Sequence, residues 1–164
     1  MVFDEHPPNI TTTVSAGGLV YTNRSRRFLW ARSSEGWTSG RCTLALRFLT
    51  DVPAILPGFR GPLDDGWSTD RLGDVLAVLA QPASTLFTDA GARGTWSAVS
   101  DPFVAGTTIW LQLDVDTGEV RLKVNSRDFG LVHTLPPGFP RPVHPVIQHF
   151  PFRASLMLLP SPPQ

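Results

Sequence analysis

The sequence predicts an all-β domain, a sandwich or barrel of short strands with at most one short helix. Three observations carry this reading. Sixteen prolines and fourteen glycines punctuate the 164 residues often enough to forbid long helices. Between them, runs such as Glu119-Val120-Arg121-Leu122-Lys123-Val124 alternate with period two, placing Val120, Leu122 and Val124 on one face. Turn-forming residues recur at the short intervals expected of an antiparallel meander.

Taken in order, strand character is predicted for Leu19–Thr22, Phe28–Arg32, Cys42–Leu49, Trp96–Val99, Thr108–Val115, Glu119–Val124, Phe129–His133, Val143–Phe150 and Ala154–Leu159. One helix is predicted over Thr69–Gln81, where Leu72, Val75, Leu76 and Leu79 keep helical spacing after a Ser68/Thr69 cap. Periodicity does not arbitrate Val75–Leu79, which reads equally as a buried strand. Residues 1–160 are read as a single domain, large enough to bury a substantial core, and 161–164 as a disordered tail.

Apolar residues make up 41% of the chain and its formal net charge is zero, a balance that argues against disorder and against general attraction to nucleic acid. No apolar run approaches the ~18 residues of a membrane span. The opening MVFDEHPPN has neither the basic nor the apolar region of a secretion signal, so a soluble, cytoplasmic chain is expected, with no membrane insertion. Cys42 is the sole cysteine, which rules out an intramolecular disulfide and a cysteine-rich zinc site. Lys123 is the only lysine, and every other basic residue is arginine.

Catalytic chemistry is thinly represented. Asp116-Thr117-Gly118 after apolar residues is the signature of an aspartic protease loop, but such a site needs two carboxylates sharing a proton, so a chain with one motif would have to dimerise. Glu119 follows the glycine, placing a second negative charge beside the site. The same letters between two alternating strands make an ordinary hairpin turn, with Asp favoured in the turn and Gly able to adopt positive φ, and this is the preferred reading. His144 and His149 are five apart in a predicted strand, on opposite faces, which is poor for one metal. Cys42 lies in an alternating strand, where a buried structural thiol is the usual outcome. No nucleophile elbow, phosphate loop or dinucleotide fingerprint is present. The chain is therefore expected to be no enzyme and to need no cofactor or metal.

Binding features are better represented. Five tryptophans are more than a core of this size requires. Trp37 in Glu35-Gly36-Trp37-Thr38-Ser39-Gly40 and Trp67 in Asp64-Asp65-Gly66-Trp67 stand among turn formers, where each either contributes to a recognition surface or plugs one end of the fold.

Several segments, in order, follow the motif order of one known family. Phe3-Asp4-Glu5-His6-Pro7-Pro8-Asn9-Ile10 is similar to the family's opening Phe-x-x-x-His-Gly-x-Asn-Ile/Val. Gly18-Leu19-Val20-Tyr21-Thr22-Asn23-Arg24 is similar to its Gly-Ile/Leu-Val-Phe-Ser-x-Arg strand, and Gly36-Trp37-Thr38-Ser39-Gly40 to its Gly-Trp-x-Gly segment. Asp51–Pro57 is similar to a proline-rich loop and Thr95-Trp96-Ser97-Ala98-Val99 to a Thr/Phe-Trp-Ala segment. The strand, turn and strand of Trp110–Val124, the Asn125–Gly130 turn and Val143–Phe150 follow the family's C-terminal order. Asp64–Arg93 has the look of an insertion.

Together these segments resemble a neuralized homology repeat (NHR), a relative of the SPRY-type β-sandwich, and the resemblance implies a two-sheet antiparallel β-sandwich of SPRY/NHR type that binds a protein or short peptide segment without catalysis. It also implies a substrate-recruiting or adaptor role with ubiquitin ligase components as possible partners, while the balanced charge leads to the expectation of no nucleic-acid partner. Candidate binding residues near predicted turns are Trp37, Arg60, Asp65, Trp67, Arg127 and Phe129, the aromatics to fill pockets and the arginines to pair with acidic or carbonyl groups. The competing functions are a homodimeric aspartic protease using Asp116 and a structural assembly subunit whose sheet edge pairs with a neighbour.

Overall fold

The computed structural model describes residues 3–6, 12–15, 20–23, 29–33, 35–51, 54–61, 75–80, 84–88, 93–95, 104–149 and 154–160. Among these the chain forms strands β1 (Phe3–His6), β2 (Thr12–Ser15), β3 (Val20–Asn23), β4 (Leu29–Ser33), β5 (Arg41–Phe48), β6 (Ala54–Arg60) and β7 (Val75–Ala80). They continue as β8 (Ser84–Thr88), β9 (Arg93–Thr95), β10 (Thr108–Asp114), β11 (Glu119–Val124), β12 (Arg127–Thr134), β13 (His144–His149) and β14 (Ala154–Leu158). The strands assemble into two seven-stranded sheets, ordered β1-β4-β13-β6-β7-β8-β9 and β12-β11-β10-β5-β14-β3-β2. Every pairing is antiparallel. The expected all-β, two-sheet antiparallel sandwich is what the chain adopts.

Alternation places the core between the sheets. From the second sheet, Cys42, Leu44, Leu46 and Phe48 of β5, Ile109, Leu111 and Leu113 of β10, and Val120, Leu122 and Val124 of β11 point inward. Leu156 and Leu158 of β14 join them, and Phe59 of β6 with Ile147 of β13 meets them from the first sheet. Side chains of this size each contribute about 1.5–3 kcal/mol on burial, so this two-sided layer dominates the stability. Burial also raises the Cys42 thiol well above its ordinary pKa, with the Glu35 carboxylate adding to the shift. Cys42 is thus an inert core residue, as its strand position predicts.

Two expectations are corrected. The helix predicted over Thr69–Gln81 gives way to strand β7 at Val75–Ala80, hydrogen-bonded between β6 and β8, while 69–74 lies outside the described residues. Six consecutive apolar residues suit a strand with neighbours on both edges as well as they suit a helix, and pairing decides between them. The proline-rich loop expected at Asp51–Pro57 instead enters β6 at Ala54. Its ladder with β7 skips Leu56 and Pro57, where proline has no N–H to donate. The interval read as an insertion, Asp64–Arg93, holds β7 and β8 and widens the first sheet. Trp96–Val99 falls outside the described residues.

Asp116-Thr117-Gly118 joins β10 to β11, and the surrounding hydrogen bonds explain each position. Asp114 Oδ1 accepts from the backbone N–H of Asp116 at 3.1 Å and of Thr117 at 3.0 Å. Gly118 takes φ +78° and donates to the Asp114 carbonyl at 2.7 Å. Asp116 is exposed, and its Oδ2 accepts the Gly40 N–H at 2.9 Å, tying the hairpin to the segment that leads into β5.

At the other end of β11, Asn125 adopts φ 52°, a conformation asparagine tolerates better than most residues. Its Oδ1 accepts the Thr108 N–H at 3.0 Å and its own N–H donates to the Thr108 carbonyl at 2.9 Å, closing the start of β10.

Candidate functional site

The register fixes which predicted site residues can act together. Asp114 of β10 faces Arg41 of β5 at one end of the second sheet, while Thr108 faces Arg47 at the other. Trp37 belongs to the first end. It is half-buried against the core, and its backbone forms an isolated bridge with Val143 through two 2.9 Å hydrogen bonds. Arg60 lies at the end of β6 opposite His144, near this same rim, but in a strand and only 1% exposed. Arg127 opens β12 opposite Val124, at the far end. It is exposed, with its guanidinium 4.7 Å from the centroid of the half-buried Phe129 ring. Six to seven residues of strand separate the two rims, roughly 20 Å. Trp37 and Arg60 are therefore not brought together with Arg127 and Phe129. Asp65 and Trp67 lie outside the described residues.

The Trp37 rim is braced by Arg141. Its guanidinium donates to the Thr38 carbonyl at 2.8 Å and the Val115 carbonyl at 2.7 Å, and it lies 5.1 Å from the Phe139 ring centroid. Three chain segments are thereby joined by one planar, permanently charged group, a task for which the arginine fork is suited and lysine is not. Gly36 packs so close to Pro142 and His144 that a Cβ there would sit 2.8 Å from each. This end is a packed structural junction.

A different surface has the form of a binding site. On the outer face of the second sheet, Thr43, Trp110, Gln112, Arg121, Lys123 and Asp128 line a depression of about 300 Å³. A second of about 260 Å³, lined by Arg41, Gln112, Asp114, Glu119 and Arg121, continues it toward the β10–β11 turn. The two share Gln112 and Arg121 and so form one shallow groove along β10.

The strand period produces this arrangement. With Leu111 and Leu113 in the core, Trp110, Gln112 and Asp114 must face outward. Trp110 is half-buried opposite Ala45, which is fully buried although it lies on the outward face of β5, as an indole covering a methyl group would make it. Lys123, opposite Trp110 on β11, holds its Nζ 5.5 Å from the ring centroid in a cation–π contact. Gln112 Nε2 donates to Thr43 Oγ1 at 3.2 Å.

At the turn end, Arg41 meets Asp114 at 3.5 Å and Arg121 meets Glu119 at 3.2 Å. Both pairs are largely solvated, and such pairs contribute under about 1 kcal/mol each. Candidate residues near turns did not include this groove. The signal for it was the phase of Trp110, a large aromatic in step with Gln112 and Asp114 and out of step with the core leucines.

The Asp114 carboxylate is held below the usual range chiefly by the Thr117 N–H, with Asp116 and Arg41 adding to the effect and burial opposing it. A depressed folded-state value stabilises the native protein above the unfolded carboxylate pKa of about 3.9, and that contribution is lost as pH falls through the folded value. Asp114→Ala is therefore expected to lose about 1 kcal/mol at neutral pH, in line with the hydrogen bonds removed. The gap from the wild type should begin to narrow below about pH 4 and close as pH falls through the folded value. Denaturant melts at pH 7 and pH 3 check this, and a gap that persists unchanged at pH 3 would place the loss elsewhere than the carboxylate.

Asp116-Thr117-Gly118 forms the hairpin turn, and among the described residues no group of three or more histidine, cysteine or acidic side chains could hold a metal ion. Also among the described residues, no helix is long and apolar enough to cross a membrane.

No protein-family model matches the chain, and no curated protein matches it in sequence. Solved structures do match the fold. The SPRY domain of human HERC1 superimposes with a TM-score of 0.71 at 15% identity, covering 99% of each chain. The PSpry domain of TRIM65 gives 0.75 at 14% identity, covering 98% of this chain and 92% of that one. Stonustoxin gives 0.65 at 15% identity over 96% of this chain and 28% of its own. The chain thus has the SPRY-like β-sandwich fold.

Proposed function

We propose that this domain is a non-catalytic recognition module that binds an extended segment of a partner protein in the groove along β10, centred on Trp110. The observation that carries it is a half-buried indole on an outward sheet face, stacked with a lysine and set in a depression lined by hydrogen-bonding side chains. Most outward positions of a solvated sheet are polar, and an aromatic anchor in a concavity is the usual centre of a binding surface. The resemblance to neuralized homology repeats supports a substrate-recruiting or adaptor role with ubiquitin ligase components.

The test begins with affinity purification and identification of a partner, followed by titration of the partner's recombinant segment. Trp110→Ala should weaken binding at least about tenfold, as loss of an aromatic hot spot does. The melting temperature should fall only slightly, because the indole is outside the main core. Equal binding by wild type and Trp110→Ala would reject the groove. Loss of binding in Arg127→Ala, with Trp110→Ala unaffected, would move the site off the groove to the neighbouring sheet end, where Arg127 and Phe129 lie.

A further inference from the structure

Resting on the reading of the groove as a peptide site, we infer that its partner is an extended segment of the pattern acidic–x–apolar–x–acidic, with the apolar side chain over Trp110. The inference comes from how the cations on this face are neutralised. Arg41 and Arg121 each have a carboxylate, Asp114 and Glu119 respectively. Arg47 and Lys123 have no ion-pair partner among the described residues, although both are exposed.

Lys123 is the more telling of the two. Asp128 stands directly opposite it on β12, yet Asp128 Oδ1 accepts the Gly130 N–H at 2.7 Å and the lysine lies over the indole. The only lysine of the chain is thus held at the indole with no carboxylate paired to it among the described residues.

The two cations flank Trp110. Lys123 is opposite it on β11, and Arg47 is on β5, one side-chain step beyond Ala45 on the same outward face. Crossing two strand spacings with a two-residue offset separates their Cα atoms by roughly 12 Å. In an extended peptide, residues i, i+2 and i+4 share a face and span about 13 Å. A segment that crosses β10 obliquely at Trp110, from β11 to β5, therefore brings carboxylates at i and i+4 to Lys123 and to Arg47, which lies just beyond the groove lining, when the side chain at i+2 covers the indole.

Charge-assisted contacts at the two ends would fix register, and the aromatic would supply the apolar contact. An aromatic between cations also suits single-stranded nucleic acid. Asp114, Glu119 and Asp128 on the same face, and a chain of zero net charge, favour the peptide, whose carboxylates can be placed singly.

The experiment is selection of a phage-displayed random dodecapeptide library on the immobilised domain, on Trp110→Ala, and on the double variant Arg47→Glu/Lys123→Glu. The expected result is enrichment of the acidic–x–apolar–x–acidic pattern on wild type and loss of enrichment on Trp110→Ala. The double variant should switch to basic flanking residues. Synthetic copies of the selected peptide should bind about tenfold more weakly to Lys123→Gln than to wild type, and more weakly again as salt rises.

Enrichment that depends on Trp110 but shows no acidic preference would overturn this inference and leave the groove as a peptide site. Enrichment independent of Trp110, or none at all, would overturn both. Tighter binding of a fluorescent oligouridine than of any selected peptide would replace the peptide with nucleic acid.

Discussion

Leu111→Ala is expected to destabilise the domain by about 2–5 kcal/mol, the range for deleting a buried leucine side chain. Leu111 is fully buried at the middle of β10, flanked in register by Leu44 of β5 and Leu122 of β11, both also buried. Removing it leaves a cavity bounded by strands whose hydrogen bonds oppose collapse, which places the loss toward the upper part of that range. For a domain of this size the melting temperature should fall on the order of 10 °C. The comparison with Trp110→Ala is the informative one. The two residues are adjacent in sequence and opposite in direction, so the first should lose stability and the second should lose binding. A thermal or denaturant melt of both variants reads this directly. Similar destabilisation by the two would mean that the indole is part of the core and not of a surface.

The second large effect is expected at Gly118. Its φ of +78° disfavours any residue with a Cβ, and a Cβ there would lie 3.0 Å from the Leu135 carbonyl oxygen and 3.3 Å from the Leu135 side chain. That carbonyl belongs to backbone already held by the Leu135 N–H bond to the Gly118 carbonyl at 2.9 Å, so it cannot retreat without breaking the contact. Gly118→Ala should cost about 2–3 kcal/mol, of which the left-handed conformation alone accounts for about 1–2. Gly130→Ala serves as the control. Its φ is +66°, and nothing lies within 4 Å of the position its Cβ would take. The difference between the two variants measures the close approach, and equal losses in denaturant melts would show that conformation alone is responsible.

The legible parts of the fold were those in which one face is buried and the other is not. Residues Thr108–Val124 show this best, because Leu111, Leu113, Val120 and Leu122 alternate with polar neighbours and all four are buried. β7 was harder, because a strand paired on both edges with an unbroken apolar sequence carries no period. β6 was obscured by Pro53, Pro57 and Gly58, which ordinarily mark loops, whereas the strand tolerates Pro57 by leaving a gap in one ladder.

The candidate site was less legible for a related reason. Charge and turn residues drew attention to Arg60, which is buried at a strand end, and to Arg127, which is at the far rim. An indole gives no sign by its chemistry whether it faces inward or outward. Only the phase it shares with Gln112 and Asp114 reveals that, and the phase is settled by the partners of Leu111.

The strand that carries the groove also carries the core, so the proposed recognition surface rests on backbone that the fold itself fixes. β10 is paired along its length with β5 and β11, so the backbone beneath Trp110 is held before any partner arrives. A surface of this kind is preorganised, and little ordering entropy is lost on association compared with a site made of loops. Because the groove exists only when β10 is in place, every partner bound there also draws the folding equilibrium toward the native state by mass action.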